Sequence, residues 1–337
     1  MSRIAYVNGQ YIPHAQAMIH VEDRGYQFAD GVYEVMALHK GQFLGEKGHM
    51  ERLEYSLKEL SITAPMSRRP MMSILREVVR QNRVHHGLVY LQITRGVAPR
   101  DHPFPDKCVS SMVATAVKRA PINKGQLLAG ISVISTPDIR WKRRDIKSIS
   151  LLPNVLGKQK AVDLGAQEAW FIDEGGYVTE GTATNAWIIT KDGELITREA
   201  GKHILNGITR LSILEAAKEK GVSLVERAFT IEEAQEAREA FISSSNSHVK
   251  AVTCIDGQVV GDGYAGELTV RLLDIYMDFV EEVGGPELNI ESFDGSFADG
   301  SATFEATVTN QGTLDAGPFD VDIYFEGVVA PEAGTPG

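Results

Sequence analysis

The chain has 337 residues, 43% of them hydrophobic and 23% charged, which is enough for two domains with a sizeable core. It has neither the run of about 18 apolar residues that a membrane span needs nor a signal-peptide pattern after Met1. The net charge of −11 is concentrated in residues 285–337, which hold ten acidic and no basic residues, so a nucleic-acid-binding protein is not indicated.

The first part of the chain is predicted to be a small α/β domain over residues 1–119. A hairpin turning at Asn8-Gly9 is followed by a loop over His20–Gly25. Apolar spacing and β-branched runs then predict two helices, over His49–Leu60 and 68–84, and four strands, over Gly31–Ala37, Gln42–Leu44, Val89–Gly96 and Ser111–Ala116. The loop between the last two strands, Val97–Pro105, contains three prolines and should be stiff.

A linker at 120–124 is predicted to lead into a larger domain over residues 125–284. Its expected strands are 130–136, 167–173, 185–190, 194–197 and Ala240–Ser243, and its expected helices are 154–165, one starting after Gly207–Arg210, Ile231–Arg238 and 266–283. Residues Ser247–Val252 are expected to be a loop. The two cysteines, Cys108 and Cys254, lie outside any CxxC pair and indicate reduced thiols in a cytoplasmic protein.

Lys147 is the candidate reactive residue. It lies in a short apolar run directly after Lys142, Arg143 and Arg144. Cationic neighbours and partial burial favour the free amine of a lysine, which can form a Schiff base with an aldehyde. A lone surface lysine would be the ordinary interpretation, and the residues that accompany Lys147 argue against it.

Those residues match the needs of pyridoxal 5'-phosphate, which requires an amine, a carboxylate for its ring nitrogen and donors for its phosphate. Glu180 can supply the carboxylate. Ile208 and Thr209 at a helix start, the hydroxyls of Ser244 and Ser245, and the Arg52 guanidinium can supply phosphate contacts; these phosphate candidates are Arg52, Ile208, Thr209, Ser244 and Ser245. Taken singly, each could instead be a surface acid, a helix cap, a polar turn or a surface arginine.

The order of these motifs resembles the fold-type IV pyridoxal-phosphate aminotransferases, and within them is similar to the D-amino-acid aminotransferases. The resemblance covers about residues 3–283 and is carried by the runs Phe28–Val35, Glu51–Leu53, Asp145–Ser148, Thr179–Asn185, Gly207–Arg210 and Asp256-Gly257. It implies an α+β or α/β fold with two domains, the larger having a β-barrel-like core. It also implies a homodimer with its active site at the domain junction, and Lys147 as the Schiff-base lysine and proton carrier. No metal ion is expected.

The loop Pro99–His102 resembles the Arg-x-His carboxylate trap of D-amino-acid aminotransferases. Arg100, His102 and Tyr33 would then bind the substrate carboxylate, which a guanidinium grips in bidentate fashion. The sequence departs from those relatives at His248 and Lys250, and at Trp187. In the family this region borders the substrate side pocket, so the departure affects side-chain preference.

Other functions on the same fold remain open, namely a branched-chain L-aminotransferase, an (R)-amine transaminase or an aminodeoxychorismate lyase. A different class would be an adhesion or scaffold protein with a degenerate enzyme domain. Residues 302–327 resemble a fragment of a secreted adhesion-type β-sandwich repeat, and the run Thr307–Thr313 carries that likeness. We expect the appendage at 285–337 to be partly β and to take no part in catalysis.

Overall fold

The structure is a computed structural model, and it describes residues 3–283, 288–298 and 301–310. The fold is a mixed α/β architecture built on two sheets, as the sequence predicts. The strands of the first sheet all lie within residues 4–118, and those of the second within 131–259.

The first sheet is entirely antiparallel, in the order β2-β1-β6-β5-β3-β4. Its strands are β1 (Ile4–Val7), β2 (Gln10–Pro13), β3 (Gly31–His39), β4 (Gln42–Phe43), β5 (Gly87–Thr94) and β6 (Ser111–Lys118). The β1–β2 turn has positive φ at both Asn8 (46°) and Gly9 (94°), the conformation that an Asn-Gly hairpin turn requires. The predicted hairpin is confirmed.

The second sheet is mixed and curled, in the order β12-β11-β10-β13-β14-β7-β8-β9, with β15 paired to β14. Its strands are β7 (Ile131–Pro137), β8 (Glu168–Ile172), β9 (Val178–Gly181), β10 (Asn185–Ile189), β11 (Leu195–Thr197), β12 (Leu224–Glu226), β13 (Glu239–Ser244), β14 (His248–Ile255) and β15 (Gln258–Val259). Three pairs are parallel, β14 with β7, β7 with β8, and β11 with β12. Its central strands are buried on both faces, as their apolar runs require.

Helices cover the sheets, and a 3₁₀ turn spans His14–Gln16. The helices are α1 (Arg24–Phe28), α2 (Glu46–Glu59), α3 (Arg68–Asn82), α4 (Lys124–Leu128), α5 (Leu152–Asp163), α6 (Ile208–Glu219), α7 (Ile231–Gln235) and α8 (Glu267–Val283). The apolar faces of α2 and α3 pack on the first sheet, and α8 packs on β13, β14 and α6. In the part of the chain described, none of the helices is long and apolar enough to cross a membrane.

A short segment around Lys147 joins the second half of the chain to the first sheet. The backbone N–H of Tyr33 donates to the Lys147 carbonyl over 3.0 Å, and the N–H of Ile149 donates to the Gly31 carbonyl over 3.1 Å. Val32 and Ser148 form the bridge between them. The backbone of Lys147 is therefore fixed against β3, whose other edge pairs with β5.

Several predicted boundaries are wrong. Ser247–Val252 is not a loop, because β14 begins at His248 and pairs with both β13 and β7. The loop predicted over His20–Gly25 gives way at Arg24 to α1, whose N-cap Asp23 accepts from the Gly25 N–H. The short strands β9, β12 and β15 were not predicted, and α4 begins at Lys124, inside the predicted linker.

The described part of the acidic appendage is an antiparallel hairpin of β16 (Leu288–Ala298) and β17 (Ser301–Asn310), with an irregularity between Ile290 and Ser292. This agrees with the expected β character of residues 302–310. The remainder of the adhesion-like run, from Gln311 onward, lies outside the described residues.

Candidate active site

A cavity, called the main cavity below, opens where the Lys147 segment, β9, the start of α6 and the end of β13 meet. It encloses about 1010 Å³ of empty space, including the solvent at its mouth. Seven of the ten residues predicted for the site line it, namely Tyr33, Arg52, Lys147, Glu180, Ile208, Ser244 and Ser245.

Lys147 is held at both ends of its backbone. Its N–H donates to Ser56 Oγ over 3.2 Å, and its carbonyl accepts from Tyr33. Its Nζ lies 4.3 Å from the centre of the Tyr33 ring, within the distance of a cation–π contact. The amine is thus presented to the cavity on a fixed backbone, with an aromatic ring on one side.

Arg52 reaches the cavity from the second turn of α2 and is bound to the fully buried Glu34. Its Nε and Nη2 donate to the two Glu34 oxygens over 2.8 and 2.7 Å, and its Nη1 donates to the Asn206 carbonyl over 3.0 Å. His49 Nδ1 lies 2.7 Å from Glu34 Oε2. Burial alone would raise the pKa of Glu34, but the charges and hydrogen bonds of Arg52 and His49 lower it to about 2. The carboxylate therefore stays ionised and fixes Arg52 in place.

Glu180 lies on β9 and is only 5% exposed. Its Oε1 accepts from Arg140 Nη1 over 2.5 Å, and its Oε2 accepts from the Leu205 N–H over 3.0 Å and from Asn185 Nδ2 over 3.2 Å. Burial raises the pKa of Glu180, and the Arg140 charge opposes that rise. Glu180 is thus a deeply placed carboxylate on one wall of the cavity, supported by a buried arginine.

The start of α6 forms another wall. Its N-cap is Gly207, which has no side chain to cap the helix, so the first N–H groups of α6 keep no side-chain partner. A Cβ at Gly207 would lie 2.1 Å from Asn185 Oδ1, so a larger residue does not fit. Ser245 Oγ lies 3.3 Å from His49 Nε2, and Ser244 Oγ accepts from the Ser247 N–H over 2.9 Å. Ser244 therefore retains a hydroxyl proton to donate. The Ser245 hydroxyl donates to His49 Nε2, because His49 Nδ1 donates to the ionised Glu34.

Thr209 is placed differently from the prediction. It is buried and lines a small adjoining cavity together with His49, Ser245 and Tyr276, not the main cavity. Its side chain hydrogen-bonds with Tyr276, whose pKa is raised by burial to about 12.

The donor set fits pyridoxal 5'-phosphate. An amine, a buried carboxylate and a cluster of N–H, hydroxyl and guanidinium donors occupy separate walls of one cavity. The uncapped N-terminus of a 12-residue helix is suited to a phosphate. The described residues contain no group of three or more His, Cys, Asp or Glu that could hold a metal ion.

Arg100 and His102 do not line this cavity within one chain. Both are exposed, and both pack on Phe28: the Arg100 guanidinium lies 4.8 Å from the ring centre, and the His102 ring centre lies 5.5 Å away. The backbone of their loop is held by Arg24, which donates to the Asp101 carbonyl over 2.6 Å and to the His102 carbonyl over 3.3 Å.

Asp30 anchors that loop to the sheet. Its carboxylate accepts from Arg24 Nε over 2.9 Å and from Arg95 Nε and Nη2 over 2.7 and 3.0 Å. Burial would raise the pKa of Asp30, but the hydrogen bonds from Arg95 and Arg24 lower it. We call Arg24, Asp30 and Arg95 the loop clamp.

The residues expected to affect side-chain preference, His248, Lys250 and Trp187, lie behind the main cavity or away from it. His248 Nδ1 is 3.2 Å from the Tyr276 hydroxyl, and neither His248 nor Lys250 lines the main cavity. Trp187 is fully buried, stacks on Phe241 and donates from Nε1 to Ser243 Oγ over 2.8 Å. Trp187 therefore reaches the cavity only through Ser243, which lines it.

Sequence reasoning missed four residues of this site: Glu34, His49, Arg140 and Arg144. Glu34 could have been suspected, because it shares the buried face of β3 with Val32 and Met36, where a charged residue needs a partner. His49 and Arg140 carry no spacing signal, because Glu34 and Glu180, the acids that they bind, are remote in sequence. Arg144 was noted only as a cation close to Lys147.

Comparison with known proteins agrees with this geometry. The chain matches the family described as Amino-transferase class IV over residues 31–255. It is 43% identical over 279 residues to the D-alanine aminotransferase of Listeria innocua serovar 6a, covering 82% of this chain and 95% of the relative. It is 37% identical over 276 residues to that of Staphylococcus haemolyticus, covering 82% of this chain and 97% of the relative.

Solved structures show the same fold. The branched-chain amino acid aminotransferase of Escherichia coli has a TM-score of 0.76 at 24% identity, covering 82% of this chain and 94% of that one. The branched-chain amino acid aminotransferase of Thermoproteus uzoniensis with norvaline has a TM-score of 0.73 at 24% identity, covering 83% of this chain and 95% of that one.

Proposed function

This chain belongs to the class IV aminotransferases, and on that basis we propose that it is a pyridoxal-phosphate-dependent D-amino-acid transaminase. Its reaction would be of the type D-alanine + 2-oxoglutarate = pyruvate + D-glutamate. The observation that carries the proposal is the meeting of the Lys147 amine, the buried Glu180 carboxylate and the uncapped start of α6 in one cavity. The D-alanine aminotransferase relatives support the choice of D-amino acids.

The cofactor, when bound, supplies an aldehyde and a ring that withdraws electrons. Lys147 would hold it covalently through Nζ and would then carry the substrate α-proton. Its backbone bonds to Ser56 and Tyr33 keep the amine in position between these tasks. Glu180 would keep a proton on the ring nitrogen, and the contacts from Asn185 and Leu205 would orient its carboxylate.

The phosphate would lie at the start of α6, within reach of Ile208, Ser244, Ser245 and Arg52. Because Glu34 already binds Arg52 through two hydrogen bonds, the pair would place a fixed guanidinium edge at the phosphate. Thr209 would contribute through its backbone at the helix start, since its side chain is directed to Tyr276.

The substrate carboxylate would be bound by Tyr33, Arg100 and His102, of which the cavity of one chain contains only Tyr33. We therefore propose a homodimer in which Arg100 and His102 of the partner subunit complete the site. Large exposed apolar side chains cluster in the two segments that the Asp23–Val97 bridge joins, and such a patch favours a subunit contact. These side chains are Met18, Val21, Tyr26, Phe104 and Val109.

Mixing two inactive variants tests this arrangement. Lys147→Ala lacks the reactive amine and Arg100→Ala lacks the carboxylate guanidinium, so each homodimer should be inactive or severely impaired. In a mixed dimer, one site regains both groups if they come from different subunits, and activity should reappear after subunit exchange. Failure of the mixture to regain activity, when each variant alone still dimerises, would place both groups in the same chain.

The choice between D- and L-amino acids is tested spectroscopically. D-alanine and L-alanine are added separately to the purified holoenzyme, and the absorbance of the lysine-bound cofactor is followed. We expect D-alanine to deplete that band and L-alanine to leave it intact. Depletion by L-alanine alone would reject the D assignment, and a band that survives in Lys147→Ala would place the cofactor lysine elsewhere.

The likeness to branched-chain aminotransferases supports a common fold and not a common substrate, since the two solved structures described above are each 24% identical to this chain. A substrate profile that includes branched-chain L-amino acids and (R)-amines separates these alternatives. We further propose that residues 1–119 and 125–284 are two domains, because each carries its own sheet. We also propose that the enzyme acts in the cytoplasm, where its free cysteines Cys108 and Cys254 would stay reduced.

A further inference from the structure

Arg144 is a cation of the main cavity to which the reaction outlined above assigns no task. It lies three residues before Lys147 and lines the same cavity. Its side chain is only 9% exposed. A guanidinium in such a position has lost most of its water and needs acceptors from the protein or from a ligand.

The protein does not meet this need. In the described part of the chain, the charged contact of Arg144 is Nε to Asp138 Oδ2, at 3.3 Å. Nε is nevertheless buried without a hydrogen-bond partner, so the contact lacks hydrogen-bond geometry.

Asp138 is already occupied by other donors. Arg140 donates to it from Nε over 2.9 Å and from Nη2 over 2.8 Å, and Thr179 Oγ1 donates over 2.8 Å. Its buried carboxylate therefore already accepts hydrogen bonds from Arg140 and Thr179, and it accepts none from Arg144 Nε.

The other guanidinium groups of the cavity are bound. Arg52 donates to Glu34 and to the Asn206 carbonyl, and Arg140 donates to Asp138, Glu180 and Thr179. Arg144 thus differs from both in having unmet donors at a cavity wall. A planar guanidinium with free donors matches a carboxylate, which it can bind through two parallel hydrogen bonds.

We propose that Arg144 binds the second carboxylate of dicarboxylic substrates, that is, the side-chain carboxylate of acidic D-amino acids and of the corresponding 2-oxo acids. The proposal rests on the proposed function, which assigns the α-carboxylate to Tyr33, Arg100 and His102. Arg144 would then select substrates with an acidic side chain over those with a small apolar one.

The kinetic test compares two donors in the holoenzyme. The measured quantity is the ratio of kcat/KM for D-glutamate to kcat/KM for D-alanine. Because a charge-assisted contact to a carboxylate is lost, Arg144→Gln should lower this ratio by about 10- to 100-fold. Lys142→Gln removes the same charge two residues earlier from an exposed side chain, and it should leave the ratio within about twofold of the wild type.

A binding test needs no turnover. Glutarate and pentanoate are unreactive five-carbon acids with and without a second carboxylate, and both are titrated into the holoenzyme by calorimetry. The wild type should bind glutarate more tightly than pentanoate, and Arg144→Gln should abolish that difference. Arg144→Lys, which keeps the charge without the planar fork, should retain part of it.

Three results would overturn the proposal. The preference for glutarate could survive in Arg144→Gln, both acids could weaken equally, or the variant could shift the absorbance of the bound cofactor, which would mean that Arg144 contacts the cofactor. A glutarate preference that depends on Arg144, in a protein that does not transaminate D-amino acids, would support the subsite and reject the proposed function. The two ideas therefore fail separately.

Discussion

Single residues in this protein owe their properties to partners that are far away in sequence. Glu34 and Glu180 are buried acids and Asp30 is a partly buried one. Arginines, together with His49 at Glu34, lower the pKa of Glu34 and Asp30, while burial raises the pKa of Glu180. The sequence singles out Lys147 because its neighbours are adjacent to it. It does not single out Arg144, because its unmet donors become evident only when Asp138 is seen to be committed to Arg140.

His248 gives a prediction at this scale. Burial, and then the His39 charge, lower its pKa from the ordinary 6.5 to about 4. As the pH falls through 6.5, His248 is protonated in the unfolded chain but stays neutral in the folded protein. The free energy of unfolding therefore falls between pH 6.5 and pH 4. The loss is at most about 3 kcal/mol.

The test is urea unfolding of the wild type and His248→Asn at pH 7 and pH 4.5. Asparagine tolerates the positive φ of 54° at this position, so the variant should fold and lose less stability on acidification. Equal losses in both proteins would show that His248 does not control this part of the pH dependence.

At the scale of elements, the predictions succeed where the pattern is local. The Asn8-Gly9 hairpin, the amphipathic helices and the long apolar strands are found within a few residues of their predicted bounds. They fail for β9 and β14. β9 has only four residues, and β14 follows a run of serines that resembles a turn, with His248 and Lys250 interrupting its apolar character. Both strands form through pairing with distant strands, which a single sequence does not reveal.

The loop clamp gives a prediction for an element. Asp30→Asn removes the carboxylate that two buried guanidinium groups share, so it should destabilise the protein by about 3 kcal/mol. It should also release the Arg100–His102 loop and raise KM for D-alanine several-fold, with a smaller effect on kcat.

Urea unfolding and steady-state kinetics measure these effects. Asp278→Asn, on the exposed side of α8, is the matched control, because it makes the same chemical change without a buried arginine nearby. If KM stays at the wild-type value while stability falls, the clamp supports the fold but does not position the loop.

At the scale of the whole molecule, the acidic appendage at 285–337 differs from the rest of the chain in charge, because it holds ten acidic and no basic residues. Its described hairpin pairs β16 only with β17. Removing residues 285–337 takes the formal net charge from −11 to about −1. We expect kcat/KM for D-alanine to stay within about twofold of the full chain, since every proposed site residue lies before residue 250.

Ion-exchange elution confirms the change of charge, and steady-state kinetics measure turnover of the truncated protein. A tenfold loss of kcat/KM with the fold intact would assign the appendage a part in the active enzyme. Unchanged turnover would leave it as an attachment whose role lies outside catalysis.

The pairing of Val32 with Ser148 limits how this enzyme can be recombined with its relatives. A chimera cut at 120–124 would take β3 from one parent and the reactive lysine from the other. The backbone hydrogen bonds from Tyr33 to Lys147 and from Ile149 to Gly31 would then have to form between segments from different parents. A chimera that takes residues 143–149 from the same parent as the N-terminal half would preserve these hydrogen bonds. We expect such chimeras to be enriched among the active clones of a shuffled library.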